Sequence, residues 1–243
     1  MAKTPKSPDE IFPAITDAFK EIFGNDLLGV VLYGSGAAGD YIPGKSDINF
    51  LIILTDEGMN HLDKATETIS RWRKRKVAIP LMMTEEDILS SLDSYPVEFL
   101  NIKTNHILVY GKDMLSGITF KASSLRLQCE RELKGKIFHL RRGFLETEGR
   151  AKGIRELITI SLTAFISLFK ALLYLKTIDI PSSRRDIIRA VAGAYSVDAA
   201  VFLTCADIKE GVDRMVASDM KSVFEAYLKE ITTLSRMVDR LEI

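Results

Sequence analysis

Apolar residues are spaced in one way before residue 117 of this chain and in another way after it. In the first part, short apolar runs alternate with helical stretches. Leu27 to Tyr33 is a continuous apolar run of strand length. Asp47 to Leu54 is polar at its start and apolar afterwards, and reads as a second strand. Val77 to Met83 reads as a third, and Glu98 to Tyr110 as one or two more, closed by Gly111. Between them, Ser7-Pro8-Asp9-Glu10 has the pattern of a capping box, with Ser7 at the N-cap, Pro8 at N1 and Glu10 at N3. A helix is expected from Pro8 to about Phe23, with Gly24 as its terminator. Asp56 to Arg73 carries Leu62, Ala65, Ile69 and Trp72 on one helical stripe. Thr84 caps a short helix with Glu85, Glu86 and Asp87 in its first turn, where the helix dipole favours acids.

From Phe120 onward only helical periodicity remains, over roughly 120–148, 152–176, 183–194, 197–209 and 219–242. Gly149, Gly153, Pro181-Ser182-Ser183, Ser196 and Gly211 punctuate these stretches. The expected fold class is therefore α/β (α+β): a mixed-sheet domain over residues 1–117 followed by an all-α helical bundle over 118–243. The most apolar stretch, Leu157 to Phe169, is 13 residues long. A membrane span needs about 20, so this is read as a buried bundle helix and no membrane partner is expected.

Composition changes this picture little. The chain has 243 residues, 47% hydrophobic and 27% charged, as in an ordinary globular protein. Lysine plus arginine and aspartate plus glutamate are balanced at 33 each. Any claim on nucleic acid must therefore rest on a local patch. Cys129 and Cys205 have no partner at metal-ligand spacing and read as buried thiols of a reducing compartment. The polar start, Met1-Ala2-Lys3-Thr4-Pro5-Lys6, has no signal-peptide pattern, and a cytoplasmic location is expected.

The chemistry lies between the first two strands. A strand ending in Gly34-Ser35 offers backbone N–H groups and a hydroxyl at a turn where glycine permits close approach to phosphate oxygens. A helix beginning at about Gly36 would add favourable dipole for an anion. After eleven intervening residues comes Asp47-Ile48-Asn49. Residues 47 and 49 project to one face of a strand, where two carboxylates would chelate Mg²⁺ shared with substrate phosphates. In this chain the pair is one carboxylate and one amide.

The stretch Tyr33-Gly34-Ser35-Gly36-Ala37-Ala38-Gly39-Asp40-Tyr41, continuing to Gly44-Lys45-Ser46-Asp47-Ile48-Asn49, resembles the signature of the nucleotidyltransferase superfamily. It looks like the minimal and antibiotic-modifying branches, in which a helical bundle commonly follows. The resemblance implies a nucleoside triphosphate bound at Gly34, Ser35, Asp40, Lys45 and Ser46. It implies Mg²⁺ arriving with the nucleotide and held by Asp47, and transfer of the nucleotide to a hydroxyl of an unknown acceptor.

The same resemblance exposes departures. Asn49 replaces the second aspartate, Ala38 replaces a frequent arginine, and the third strand has no acid. Transfer is therefore expected to be weakened or lost. Alternatively, a relocated carboxylate such as Glu98 or the Glu85-Glu86-Asp87 cluster restores an active transferase acting on a small molecule, a protein or an RNA end. A third reading is a non-catalytic scaffold, with residues 152–176 permitting a homo-oligomer. Arg71, Arg73, Lys74, Arg75 and Lys76 around Trp72 can grip a nucleic-acid backbone, although cations at a helix C-terminus are also what the dipole favours. His61, His106 and His139 have no metal spacing, and Arg141-Arg142 and Arg184-Arg185 read as solvated.

Overall fold

The computed structural model describes residues 4–213 and 215–242. They divide into two compact units. The first comprises the described residues up to Ser94 together with Glu98–Thr119, and the second comprises Tyr95–Val97 and the described residues from Phe120 onward.

The first unit opens with a 3₁₀ turn over Pro8–Ile11 that runs into helix α1, Phe12–Phe23. This corrects the expected capping box. Ser7 Oγ bonds to the Asp9 carboxylate instead, and the Glu10 carboxylate accepts from the Lys6 N–H at 3.2 Å. Strand β1, Leu27–Tyr33, pairs antiparallel with β2, Asn49–Leu54. The helical stretch after β2 is broken into α2, Asp56–Met59, a 3₁₀ turn over Leu62–Ala65, and α3, Thr66–Arg73. Strand β3 is only Leu81–Met83, parallel to β2. Val77 forms an isolated bridge to Ile48 instead of joining that strand. Pro80 lies between the bridge and β3, and a proline cannot donate to a ladder. Then follow α4, Glu85–Ser91, α5, Pro96–Thr104, and β4, His106–Gly111. The sheet order is β3-β2-β1-β4, with β4 antiparallel to β1.

The expectation of a strand at Glu98 is therefore wrong. Glu98 sits exposed in the first turn of α5. The segment is rich in Val, Phe, Leu and Ile, which favours a strand reading. Pro96 at the helix start and burial of Val97, Phe99, Leu100 and Ile102 go with a helix buried on more than one side. Ile11, Ile15, Phe19 and Phe23, spaced four apart, form one core cluster with Val30, Leu32, Phe50, Ile52 and Leu54 on one face of the sheet.

The second unit is helical: α6, Ala122–Glu146; α7, Ala151–Leu175; α8, Arg184–Tyr195; α9, Ala199–Glu210; and α10, Met220–Asp239. Ser183 and Asp198 cap α8 and α9 through their side chains, and Gly211 ends α9 in the left-handed conformation. Helix α7 is long and apolar enough to cross a membrane by length and composition. Its Ile158, Leu162, Phe165, Leu168, Phe169 and Leu172 are buried in the unit. Phe169 meets Phe202 edge-on at 5.2 Å between ring centroids, and Phe202 meets Tyr227 at 5.9 Å.

Candidate functional site

The site grows from the end of β1. Gly34 turns the chain with φ +75°, a left-handed value that side chains disfavour. A single 3₁₀ turn, Gly34–Gly36, follows in place of the expected helix N-terminus. The Gly34 carbonyl accepts from the N–H groups of Ala37 and Ala38 at 3.1 and 3.0 Å, and the Ser35 carbonyl accepts from the Asp40 N–H at 3.0 Å. Ser35 Oγ makes no protein hydrogen bond among the described residues. A second tight turn spans Ile42 to Ser46. The Ile42 carbonyl accepts from the N–H groups of Lys45 and Ser46, and Ser46 Oγ accepts from the Ile42 N–H at 3.1 Å. Of the loop residues singled out above, Asp40 and Lys45 are exposed, while Gly34, Ser35 and Ser46 are half-buried. The Ser46 hydroxyl closes its own turn, so any ligand contact would share it.

Asp47 lies just before β2 and is exposed. Its neighbour Ile48 is fixed on both sides: its N–H donates to the Lys76 carbonyl at 3.0 Å, and its carbonyl accepts from the Ala78 N–H at 2.9 Å. Asn49 starts β2 as the cross-strand partner of Tyr33. A Cβ placed on Gly34 would lie 3.3 Å from Asn49 Nδ2. Gly34 and Asn49 are thus brought together, with Asp47 two positions before Asn49.

Tyr41, in the same loop, also belongs to this site. Its hydroxyl donates to the Pro5 carbonyl at 3.0 Å. Its pKa is raised by burial and then by the negative charges of Glu10 and Asp47. The phenol therefore stays a neutral donor. The only sequence signal for it was its place in the loop, six positions before Asp47. Tyr33 is likewise held neutral by burial.

The remaining acids lie apart. Residues Leu81, Met82 and Met83 pair with Leu51, Ile52 and Ile53, so the strand beside β2 presents no carboxylate. Glu85, Glu86 and Asp87 open α4, beyond the far end of the sheet from Asn49. Asp87 closes a capping box with Thr84, and Glu85 lies 3.8 Å from Lys112. Glu85 and Glu86 line a cavity of about 650 Å³ with Leu54, Thr55 and Asp56. Five strand residues of about 3.3 Å each separate that end from Asn49, so the cluster is not a relocated carboxylate for Asp47. Among the described residues no group of three or more His, Cys, Asp or Glu is gathered to hold a metal. Glu98 lies exposed on α5.

The other candidates have local partners. His61 pairs with Glu57 at 3.1 Å. His106 has Nδ1 2.9 Å from the Lys103 carbonyl and Nε2 3.4 Å from Asp113. His139 is exposed on α6. Arg184 and Arg185 are engaged by Glu210 and, for Arg185, Asp207, so they are ion-paired where solvated side chains were expected. Both cysteines are buried, and burial pushes the Cys205 thiol up to about 12.

No protein-family model and no curated protein matches the chain. A spectinomycin adenyltransferase from Enterococcus faecialis, solved with ATP and spectinomycin, has a similar structure. The TM-score is 0.51 at 14% identity, over 95% of this chain and 99% of that one. At this identity the likeness is one of fold. The chain thus has a nucleotidyltransferase-like fold, a mixed-sheet domain followed by a helical bundle.

Proposed function

We propose that this protein binds a nucleoside triphosphate at the Gly34-Ser35 turn and Asp47, and that its capacity to transfer the nucleotide to a hydroxyl is weakened or lost. The observation that carries this reading is the position of the Asn49 amide beside the Gly34 turn, where the superfamily pattern places a second carboxylate. The turn keeps its glycine and its uncommitted Ser35 hydroxyl, which supports phosphate binding even though Ala38 stands in place of the frequent arginine. The metal-binding half retains one charge, on Asp47.

The donor set fits Mg²⁺ only as an ion already neutralised by phosphate oxygens. One carboxylate and one amide oxygen supply far less attraction than the usual set of carboxylates. Such an ion, arriving with the nucleotide, would be held by Asp47 and Asn49 and would offset phosphate charge. The chain's own contributions are the turn and Ser35 Oγ as donors to phosphate, whereas the Tyr41 proton is already given to the Pro5 carbonyl. A loss of about 4 kcal/mol of transition-state stabilisation lowers a rate about a thousandfold, so binding outlasts catalysis when carboxylates are removed. We place the protein in the cytoplasm on the same reading. The ATP of the structural neighbour supports ATP as the first nucleotide to test.

Titration calorimetry of the full chain with Mg-ATP and Mg-GTP tests this. Saturable binding is expected, weakened about tenfold by Ser35→Ala through loss of one hydrogen bond and abolished by Asp47→Ala. Absence of binding by any nucleotide overturns the reading and leaves the fold as a scaffold. Transfer of label to an acceptor at an ordinary enzymatic rate would instead establish an active transferase.

A further inference from the structure

We propose that the basic turn Arg71–Lys76, together with the cavity beside Trp72, binds single-stranded nucleic acid. This does not rest on the nucleotide reading above.

The cavity holds about 260 Å³ and is lined by Ala14, Ala18, Arg71, Trp72 and Arg75. Its two alanines are one turn apart on α1, and their small side chains leave room beside the indole. Arg75 lies over the Trp72 ring at 4.9 Å from the centroid, and Arg71 donates to Thr68 Oγ1 at 2.9 Å. Trp72 packs against the core on one side and is half-buried. The result is an open recess with an aromatic surface and two guanidinium groups at its edge. Arginine and tryptophan planes stack on any base, and the cations meet the phosphates between bases.

Four of the cations at this turn are not compensated locally. Arg71, Arg73, Lys74 and Lys76 are exposed and form no ion pair among the described residues. In the helical unit, by contrast, Arg126, Arg142, Arg150, Arg155, Arg184 and Arg185 each face a carboxylate. Four cations without an ion pair among the described residues thus stand within six consecutive positions of a chain whose net charge is zero. The helix dipole accounts for cations in the last turn of α3. It does not account for Lys76 beyond the helix, nor for a recess beside the tryptophan. Lys76 adopts φ +67°, and its carbonyl accepts from the Ile48 N–H. The basic turn is therefore pinned next to Asp47, and a strand seated on Trp72 can continue toward the start of β2.

Trp72 is the chain's single tryptophan, so its fluorescence reports on this recess alone. The full-length protein is titrated with oligouridine, with oligothymidine and with a duplex of equal length, following Trp72 emission and the anisotropy of a labelled strand. Both single strands are expected to quench Trp72 and to bind more tightly than the duplex, less so as salt rises. A preference between the two identifies RNA or DNA. Arg71→Gln with Arg75→Gln is expected to weaken binding tenfold or more and to reduce the salt slope by roughly 1.4, about 0.7 per lost phosphate contact. Lys74→Gln with Lys76→Gln repeats the test if the first pair disturbs folding. Arg141→Gln with Arg142→Gln on α6 should change neither quantity. Absence of quenching, equal binding of the duplex, or equal weakening by the α6 pair would each overturn the proposal.

Discussion

Gly34 and Asn49 are held against each other: a side-chain carbon on Gly34 would stand 3.3 Å from the Asn49 amide nitrogen. Residue 34 also has φ +75°, which costs a non-glycine residue about 1–2 kcal/mol. Gly34→Ala should therefore lower stability by about that amount in a urea titration and weaken Mg-ATP binding, because the new methyl group moves the turn or the amide. Gly111→Ala is the severe reference case. There φ is +85° and the added carbon would lie 2.0 Å from the Leu28 carbonyl oxygen. It should destabilise more than Gly34→Ala without a specific effect on nucleotide affinity.

Asn49→Asp places a second carboxylate two positions from Asp47. Without metal the two anions repel, so the variant should be slightly less stable than the parent at low ionic strength. With Mg²⁺ that repulsion becomes attraction. Thermal melts with and without Mg²⁺, and Mg-ATP titrations, should show a metal-dependent gain absent from the parent, with affinity raised about tenfold, or ~1.4 kcal/mol. A variant whose melting is indifferent to Mg²⁺ would show that residues 47 and 49 do not face one ion.

The helical bundle was more legible in the sequence than the sheet domain, for physical reasons. Its helices have apolar stripes and are punctuated by Ser183, Ser196 and Gly211, whose capping chemistry acts locally. In the first unit, local signals compete with tertiary ones. Pro96-Val97-Glu98-Phe99-Leu100 has strand-like composition but is buried around a short helix, so no single apolar stripe marked it. Val77 and Leu81 fall in one apolar run, yet Pro80 divides that run into a bridge and a short strand. The turn at Gly34-Ser35 and the position of Asn49 were legible because glycine chemistry and spacing fix them, whereas the 3₁₀ turn that replaces a helix from Gly36 was not. Tyr41 was not, because its partners Pro5, Glu10 and Asp47 come together only in the folded chain.

Asp113 provides a pH-dependent term. Burial pushes its carboxyl up, but hydrogen bonds from the Ser116 side chain, the backbone N–H groups of Ser116 and Leu115, and His106 outweigh this and hold it at about 2. An unfolded aspartate titrates near 3.9. The folded pKa is depressed, so this stabilisation is fully present above about pH 4 and is lost as pH falls through about 2. Urea titrations across this range should show stability falling more steeply in the parent than in Asp113→Asn. Equal slopes would mean that the carboxylate is not held by these donors.

Helix α7 passes the length and composition test for a membrane span, and the bundle core decides how it behaves in water. Phe165, Phe169, Phe202 and Tyr227 form a chain of ring contacts at 5.2 to 6.5 Å. Phe202 is fully buried, and its removal leaves a cavity between Phe169 and Tyr227. Phe202→Ala should cost about 3–5 kcal/mol. Tyr227→Phe keeps the packing and removes only the hydroxyl 3.2 Å from Ser161 Oγ. It should cost about 1 kcal/mol. Ile160→Ala, on the exposed side of the same helix at 74% exposure, should change stability by no more than about 0.5 kcal/mol. Urea unfolding of the three variants tests this ranking. A large loss from Ile160→Ala would show that the outer face of α7 is covered in solution.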